Sequence, residues 1–188
     1  MKQFDEFVNH IITKWKRKNK IILEKSGLGT PIPNRIAGDF SESYVLNKIK
    51  KLTPNYQSFL ANGSQTPSDI YSVARRDGYW HIMLIQVKSS FKKENIYELS
   101  ETEIKQFSEL AKFIKTELKD SEILENYTGK PIVITTGYVG VLSIKTDKTI
   151  QHRLVKTKAF KLFKMNASKL DFTSVKEKLE ISHKLGLK

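Results

Sequence analysis

Apolar residues recur along this chain with two different periods. Phe4, Phe7, Val8, Ile11, Ile12 and Trp15 fall at spacings of three and four and predict a helix over 3–24. The stretch SGLGTPIPN (26–34) breaks that period with two glycines and two prolines and reads as a linker. A second helix is expected from GDFSES (38–43) to about Lys51, with Asp39 as its cap and Tyr44, Val45, Ile49 and Leu52 as its apolar face. The period then shortens to two over PSDIYSVARRDGYWHIMLIQVKSS (67–90), which reads as two strands joined at Asp77-Gly78. A helix follows over 101–118, with Ile104, Phe107, Ala111, Ile114 and Leu118 on one face and Ser100 and Glu103 forming a capping box. KPIVITTGYVGVLSIK (130–145) supplies one or two β segments, AFKLFKM (159–165) another strand, and 173–185 a weak helix. This order predicts an α/β fold, a mixed central sheet flanked by helices, with an extra N-terminal helix. Residues 1–30 form the extension and linker, and 31–188 the main domain.

Composition narrows the function classes. The 188 residues suffice for one sizeable core, and with 39% hydrophobic and 28% charged residues the chain is globular. No cysteine is present, which excludes disulfides, thiolate metal sites and cysteine nucleophiles. No apolar run is long enough to span a bilayer, and the N-terminus lacks the layout of a secretory signal, so no membrane role and a cytoplasmic location are expected. The net charge of +13 attracts polyanions, of which nucleic acid is the commonest inside cells. Arg75 and Arg76 beside the hairpin turn, and Arg153, Lys156 and Lys158 in the basic run 153–164, are the expected phosphate contacts.

The hairpin carries the candidate chemistry. Trp80, Ile82, Leu84, Gln86 and Lys88 share one strand face, while His81, Met83, Ile85 and Val87 share the other. Both faces are mainly apolar, as in a central strand covered on both sides. A two-residue turn at Asp77-Gly78 puts Asp69 opposite Gln86, where Cβ atoms lie about 4.5–5.5 Å apart. A carboxylate and an amide oxygen at that separation can share a small cation, with Lys88 one step further on the same face. Taken singly, Asp69 is explained as a strand start, Gln86 as a buried amide and Lys88 as a solvated strand end. Their joint placement in a strongly basic chain favours a site. The four histidines are scattered without metal-ligand spacing, and no GxSxG or Ser/His/Asp arrangement is present.

An aspartate, a hairpin, and an acidic or amide residue two before a lysine resemble the PD-(D/E)xK nucleases, here PSD at 67–69 and QVK at 86–88. The resemblance is nearest to archaeal Holliday junction resolvases and related small archaeal or viral nucleases. It covers about residues 36–165, including GDFSE (38–42) at the start of a helix and NGS (62–64) before the aspartate. It implies a restriction-endonuclease-like fold. It also implies that Glu42, Asp69, Gln86 and the Val87 carbonyl hold Mg²⁺, with Mn²⁺ as a substitute. Lys88 would orient the attacking water or stabilise charge on the phosphate, and Ser64 would contact the phosphate. Glu42 has a second explanation, a capping box with Asp39. Gln86 stands where a glutamate is usual; its amide oxygen suits Mg²⁺ but brings no charge, which implies weaker metal binding. The implied activity is metal-dependent hydrolysis of DNA phosphodiester bonds in branched DNA by a homodimer, whose surface the helix 3–24 either supplies or leaves by packing on its own domain. The alternative is a DNA-binding protein, weakly active or inactive, on a nuclease scaffold.

Overall fold

The computed structural model describes residues 6, 10–15, 17, 32–61, 67–76, 79–96, 99–119 and 132–165, with the backbone alone at 32–37, 39, 75–76, 118–119 and 156–165. Its centre is a five-stranded mixed sheet in the order β1-β2-β3-β4-β5. The strands are β1 (Gln57–Leu60), β2 (Ile70–Arg76), β3 (Tyr79–Ser90), β4 (Ile132–Lys145) and β5 (Ile150–Met165). β1, β2 and β3 are antiparallel neighbours, β3 and β4 are parallel, and β4 and β5 form an antiparallel pair. The helices are α1, seen at residues 10–15, α2 (Ile32–Leu52) and α3 (Glu101–Lys119). A mixed sheet flanked by helices is thus the architecture, as the periodicity predicts.

β3 is central and apolar on both faces because both are covered. Trp80, Ile82 and Leu84 pack with Tyr71, Val73, Ile134 and Tyr138 beneath Phe107, Leu110, Ala111 and Ile114 of α3. Met83, Ile85 and Val87 pack with Ile70, Val139 and Val141 beneath Val45, Leu46 and Ile49 of α2. The polar side chain that alternation places inside, His81, is buried and fully engaged. Its ring nitrogens lie 2.9 Å from the Tyr56 hydroxyl and 2.9 Å from the Thr135 hydroxyl, so it is a core residue.

Three expectations need correcting. α2 begins at Ile32 rather than at Asp39, so Asp39 lies inside the helix and does not cap it. Pro33 caused the misreading: in the first turn the missing N–H has no intrahelical partner to lose, so proline is tolerated there. β1 is absent from the sequence reading because four residues are too few for a period to show. β5 starts at Ile150 rather than 159, its first half hidden by the polar composition of an edge strand. The weak helix at 173–185, the turn residues Asp77 and Gly78, and most of 3–24 and 26–34 lie outside the described residues.

α1 contributes to the main core. Ile11, Ile12 and Trp15 are buried in the cluster beneath α3, and Lys14 pairs with Glu117 at 2.7 Å. Truncating a buried tryptophan typically costs about 3–5 kcal/mol. Trp15→Ala is expected to destabilise the chain by that amount in urea unfolding. A change within experimental error would show that α1 does not dock on this core.

Candidate functional site

The hairpin register predicted by a turn at Asp77-Gly78 is the observed one: Arg76 pairs with Tyr79, Val73 with Ile82, and Ile70 with Ile85. At the next residue it stops. The Asp69 N–H donates to the Ile85 carbonyl at 2.9 Å, while the Asp69 carbonyl accepts the Ala61 N–H at 2.8 Å on the opposite side. A regular strand residue presents its N–H and C=O to the same neighbour. Asp69 presents them to different strands and shares Ile85 with Ile70, which is the bonding of a β-bulge. The expected direct opposition of Asp69 and Gln86 is therefore not formed.

Two side chains of the segment before β2 serve β3 at the last rung of the β2 ladder and one step beyond it. The Ile85 N–H donates to the Ser68 hydroxyl at 3.1 Å, and that hydroxyl donates to the Ile70 carbonyl at 2.7 Å. The Val87 N–H donates to the Asp69 carboxyl at 2.6 Å. Since a strand residue's C=O faces the same way as its N–H, the Val87 carbonyl looks out to this end of β2 as well. Burial, and then the nearby Glu42 carboxylate, push the Asp69 carboxyl up to about 8; the Val87 N–H and Lys88 pull it down without offsetting them, and Glu103 adds to the rise. Glu42 thus lies near enough to Asp69 to act on its ionisation. Glu42 lies in the interior of α2, which removes its rival explanation as a capping-box residue. The preceding residue, Ser41, docks that part of α2 on the β4–β5 hairpin, its hydroxyl 3.3 Å from that of Ser143 and 3.5 Å from His152 Nδ1.

Lys88 is on the face of β3 that looks toward α3, and its ammonium donates to Glu103 Oε1. The other carboxylate oxygen, Oε2, accepts the Ser100 N–H at 2.8 Å and the Ser100 hydroxyl at 3.0 Å, and the Glu103 N–H returns a bond to Ser100 Oγ at 3.3 Å. The expected capping box of α3 is therefore formed. Burial opposes the charge on Glu103, but the bonds from Lys88 and Ser100 outweigh it and hold the carboxyl below its ordinary value. Glu103 is the site residue that the sequence reading misses. Its capping role is visible locally, while its contact with Lys88 depends on where α3 crosses the end of β3. The Gln86 side chain is half-buried and has no hydrogen-bond partner among the described residues, while its backbone lies in the β3–β4 ladder.

Of the expected DNA contacts, three fall in line with this site. Through β4 the backbone register runs Gln86–Tyr138–Lys158, Lys88–Gly140–Lys156 and Ser90–Leu142–Arg153. Each of these β5 residues is two strand spacings, about 10 Å, from its β3 partner. Arg75 and Arg76 are at the far end of β2 from Asp69, about 20 Å away at the usual strand rise, so they do not join the site. Ser64 lies outside the described residues.

At this end of the sheet the Asp69 carboxyl is bonded to the Val87 backbone and feels the charge of Glu42, while Gln86, the preceding residue of β3, has no side-chain hydrogen bond to Asp69 among the described residues. The oxygens of Asp69, Glu42, Gln86 and the Val87 carbonyl are hard donors of the kind Mg²⁺ takes, and the half-buried Asp69 carboxyl is pushed up despite the nearby Lys88. These donors include just two carboxylates, and among the described residues no three His, Asp or Glu side chains are grouped as metal ligands. Among the described residues no helix is long and apolar enough to cross a membrane. Compared with models of known protein families, with curated proteins and with solved structures, the chain matches none.

The Asp69 carboxyl predicts a pH dependence. An unfolded aspartate ionises near pH 4, whereas the folded one holds its proton to about 8, so between these values the folded state binds more protons. Stability should accordingly fall as pH rises across that window, with a slope from this group approaching about 1.4 kcal/mol per pH unit. Asp69→Asn should remove this part of the slope, measured by urea unfolding in EDTA. Parallel pH curves for the two proteins would mean that Asp69 is not buried in its protonated form.

Proposed function

We propose that this chain is a Mg²⁺-dependent DNA endonuclease of the PD-(D/E)xK type, with a restriction-endonuclease-like fold, acting as a homodimer on branched DNA such as a four-way junction. The observation that carries the reading is the Asp69 carboxyl at the bulged start of β2, fastened to Val87 of the QVK segment and coupled electrostatically to Glu42 and Lys88. The element order supports it: a helix bearing Glu42, the hairpin, a helix and then a strand, as the resemblance requires.

In this reading Asp69, Glu42, the Gln86 amide oxygen and the Val87 carbonyl hold Mg²⁺, or Mn²⁺ in its place. Such an ion, when bound, polarises a phosphoryl oxygen and makes water a better nucleophile. Asp69 gives up its proton to become a ligand. Lys88 places positive charge where the phosphate develops negative charge. Arg153, Lys156 and Lys158, in register with Ser90, Lys88 and Gln86 respectively, hold the phosphate backbone.

A second reading, a DNA-binding protein on the same scaffold without cleavage, is favoured by one feature, the uncharged Gln86 in place of a third carboxylate. Nicking of supercoiled plasmid and of a four-way junction, with Mg²⁺ against EDTA, separates the two. The nuclease reading expects metal-dependent nicks in both tests, faster on the junction, and no nicks from Asp69→Ala, whose gel-shift affinity for DNA should match that of the unaltered chain. DNA bound but never nicked would establish the second reading. Both readings expect steep salt dependence. Lys156→Ala combined with Lys158→Ala should lower the slope of log affinity against log salt by about two, at roughly one for each phosphate no longer neutralised. An unchanged slope would remove β5 from the interface.

A further inference from the structure

We infer that Glu103, fixed by its capping box with Ser100, is the positioning residue that aims Lys88 at the scissile phosphate. The inference rests on the nuclease reading above and adds to it a residue from outside the QVK hairpin.

A lysine at a strand end has four rotatable side-chain bonds, and a site that depends on its ammonium needs them restrained. Lys88 lies beyond the apolar stretch of β3, so core packing does not restrain it. The restraint comes from α3. Glu103 Oε2 is tied by two donors of Ser100, at 2.8 and 3.0 Å, which leaves Oε1 as a stationary acceptor for the Lys88 ammonium. An ion pair on open surface would do little, because water screens it and both chains must be ordered. Here both side chains are only 32% exposed, and one of them is already held by the helix cap. The cap belongs to α3, whose Phe107, Leu110 and Ile114 are sunk in the main core, so the position of Lys88 is referred to the rigid body of the fold.

The pairing also assigns the lysine its part in the chemistry. An ammonium has three donors and no acceptor. One donor is given to Glu103, leaving two for a phosphate oxygen and for a lone pair of the attacking water. Lys88 then acts as donor and charge, and does not take the proton of that water.

Two measurements on the full chain test this, one independent of cleavage. First, acylation of Lys88 by an amine-reactive ester is followed by mass spectrometry without metal or DNA. Glu103→Ala should raise the labelling rate several-fold, and Glu103→Gln, which keeps one acceptor oxygen, should lie between it and the unaltered chain. Second, nicking kinetics well below the unfolding transition should show Glu103→Ala slowed about 10- to 100-fold in kcat, the range typical of residues that orient a functional group, with KM for DNA unchanged and partial recovery in Glu103→Gln. Unchanged labelling overturns the inference, and so does a defect that appears in KM alone. If the unaltered chain does not nick at all, the nuclease reading fails, while the labelling result still decides whether Glu103 holds Lys88.

Discussion

Where β2 stops, the Val87 amide of β3 faces a missing ladder, one step beyond the last rung at Ile70–Ile85. A buried N–H without a partner costs about as much as a broken hydrogen bond, so such groups are almost always paired. Here a side chain fills the gap: Asp69 takes the Val87 N–H, while Ser68 adds an acceptor for the Ile85 N–H at the last rung. The segment Pro67-Ser68-Asp69 thus ends one strand by completing another. A carboxyl is delivered to the interior end of the sheet as a consequence of that backbone requirement. The bulge at Asp69 makes the delivery, since it turns the side chain away from the position that alternation assigns.

That arrangement has a cost in charge. The half-buried Asp69 lies near a second carboxylate, and desolvation together with that charge pushes its carboxyl up to about 8. The ammonium of Lys88, which favours the ionised form of Asp69, is paired with Glu103, whose other oxygen is held by the start of α3. A half-buried acid with a raised ionisation, next to an ion pair at the end of a sheet, is an arrangement that functional sites commonly contain. A divalent cation bound there would favour the ionised form of Asp69 by adding positive charge beside it.

Much of this is legible in the sequence, for local reasons. Asp-Gly favours a two-residue turn, so the register from Arg76–Tyr79 to Ile70–Ile85 can be read directly. The doubly apolar run of β3 and the Ser100–Glu103 box are likewise local patterns. What escapes is non-local. The bulge at Asp69 depends on how the ends of β1 and β3 compete for one backbone. The second bond of Glu103 depends on the crossing of α3 over β3. The alignment of Lys156 and Lys158 with Lys88 and Gln86 depends on β4, paired in parallel through a helical crossover, which no turn chemistry specifies. Pro33 hides the true start of α2, and with it the fact that Glu42 is an interior helix residue rather than a cap.

The central claim is that Asp69 is a metal ligand that binds by losing its proton. Calorimetric titration of the metal-free chain with Mg²⁺ at neutral pH, in buffers of different ionisation enthalpy, counts the protons released. With the carboxyl pushed up to about 8, close to one proton should leave per ion bound, and Asp69→Asn should bind weakly with no release. Tight binding without proton release, or equal binding by Asp69→Asn, would contradict the account.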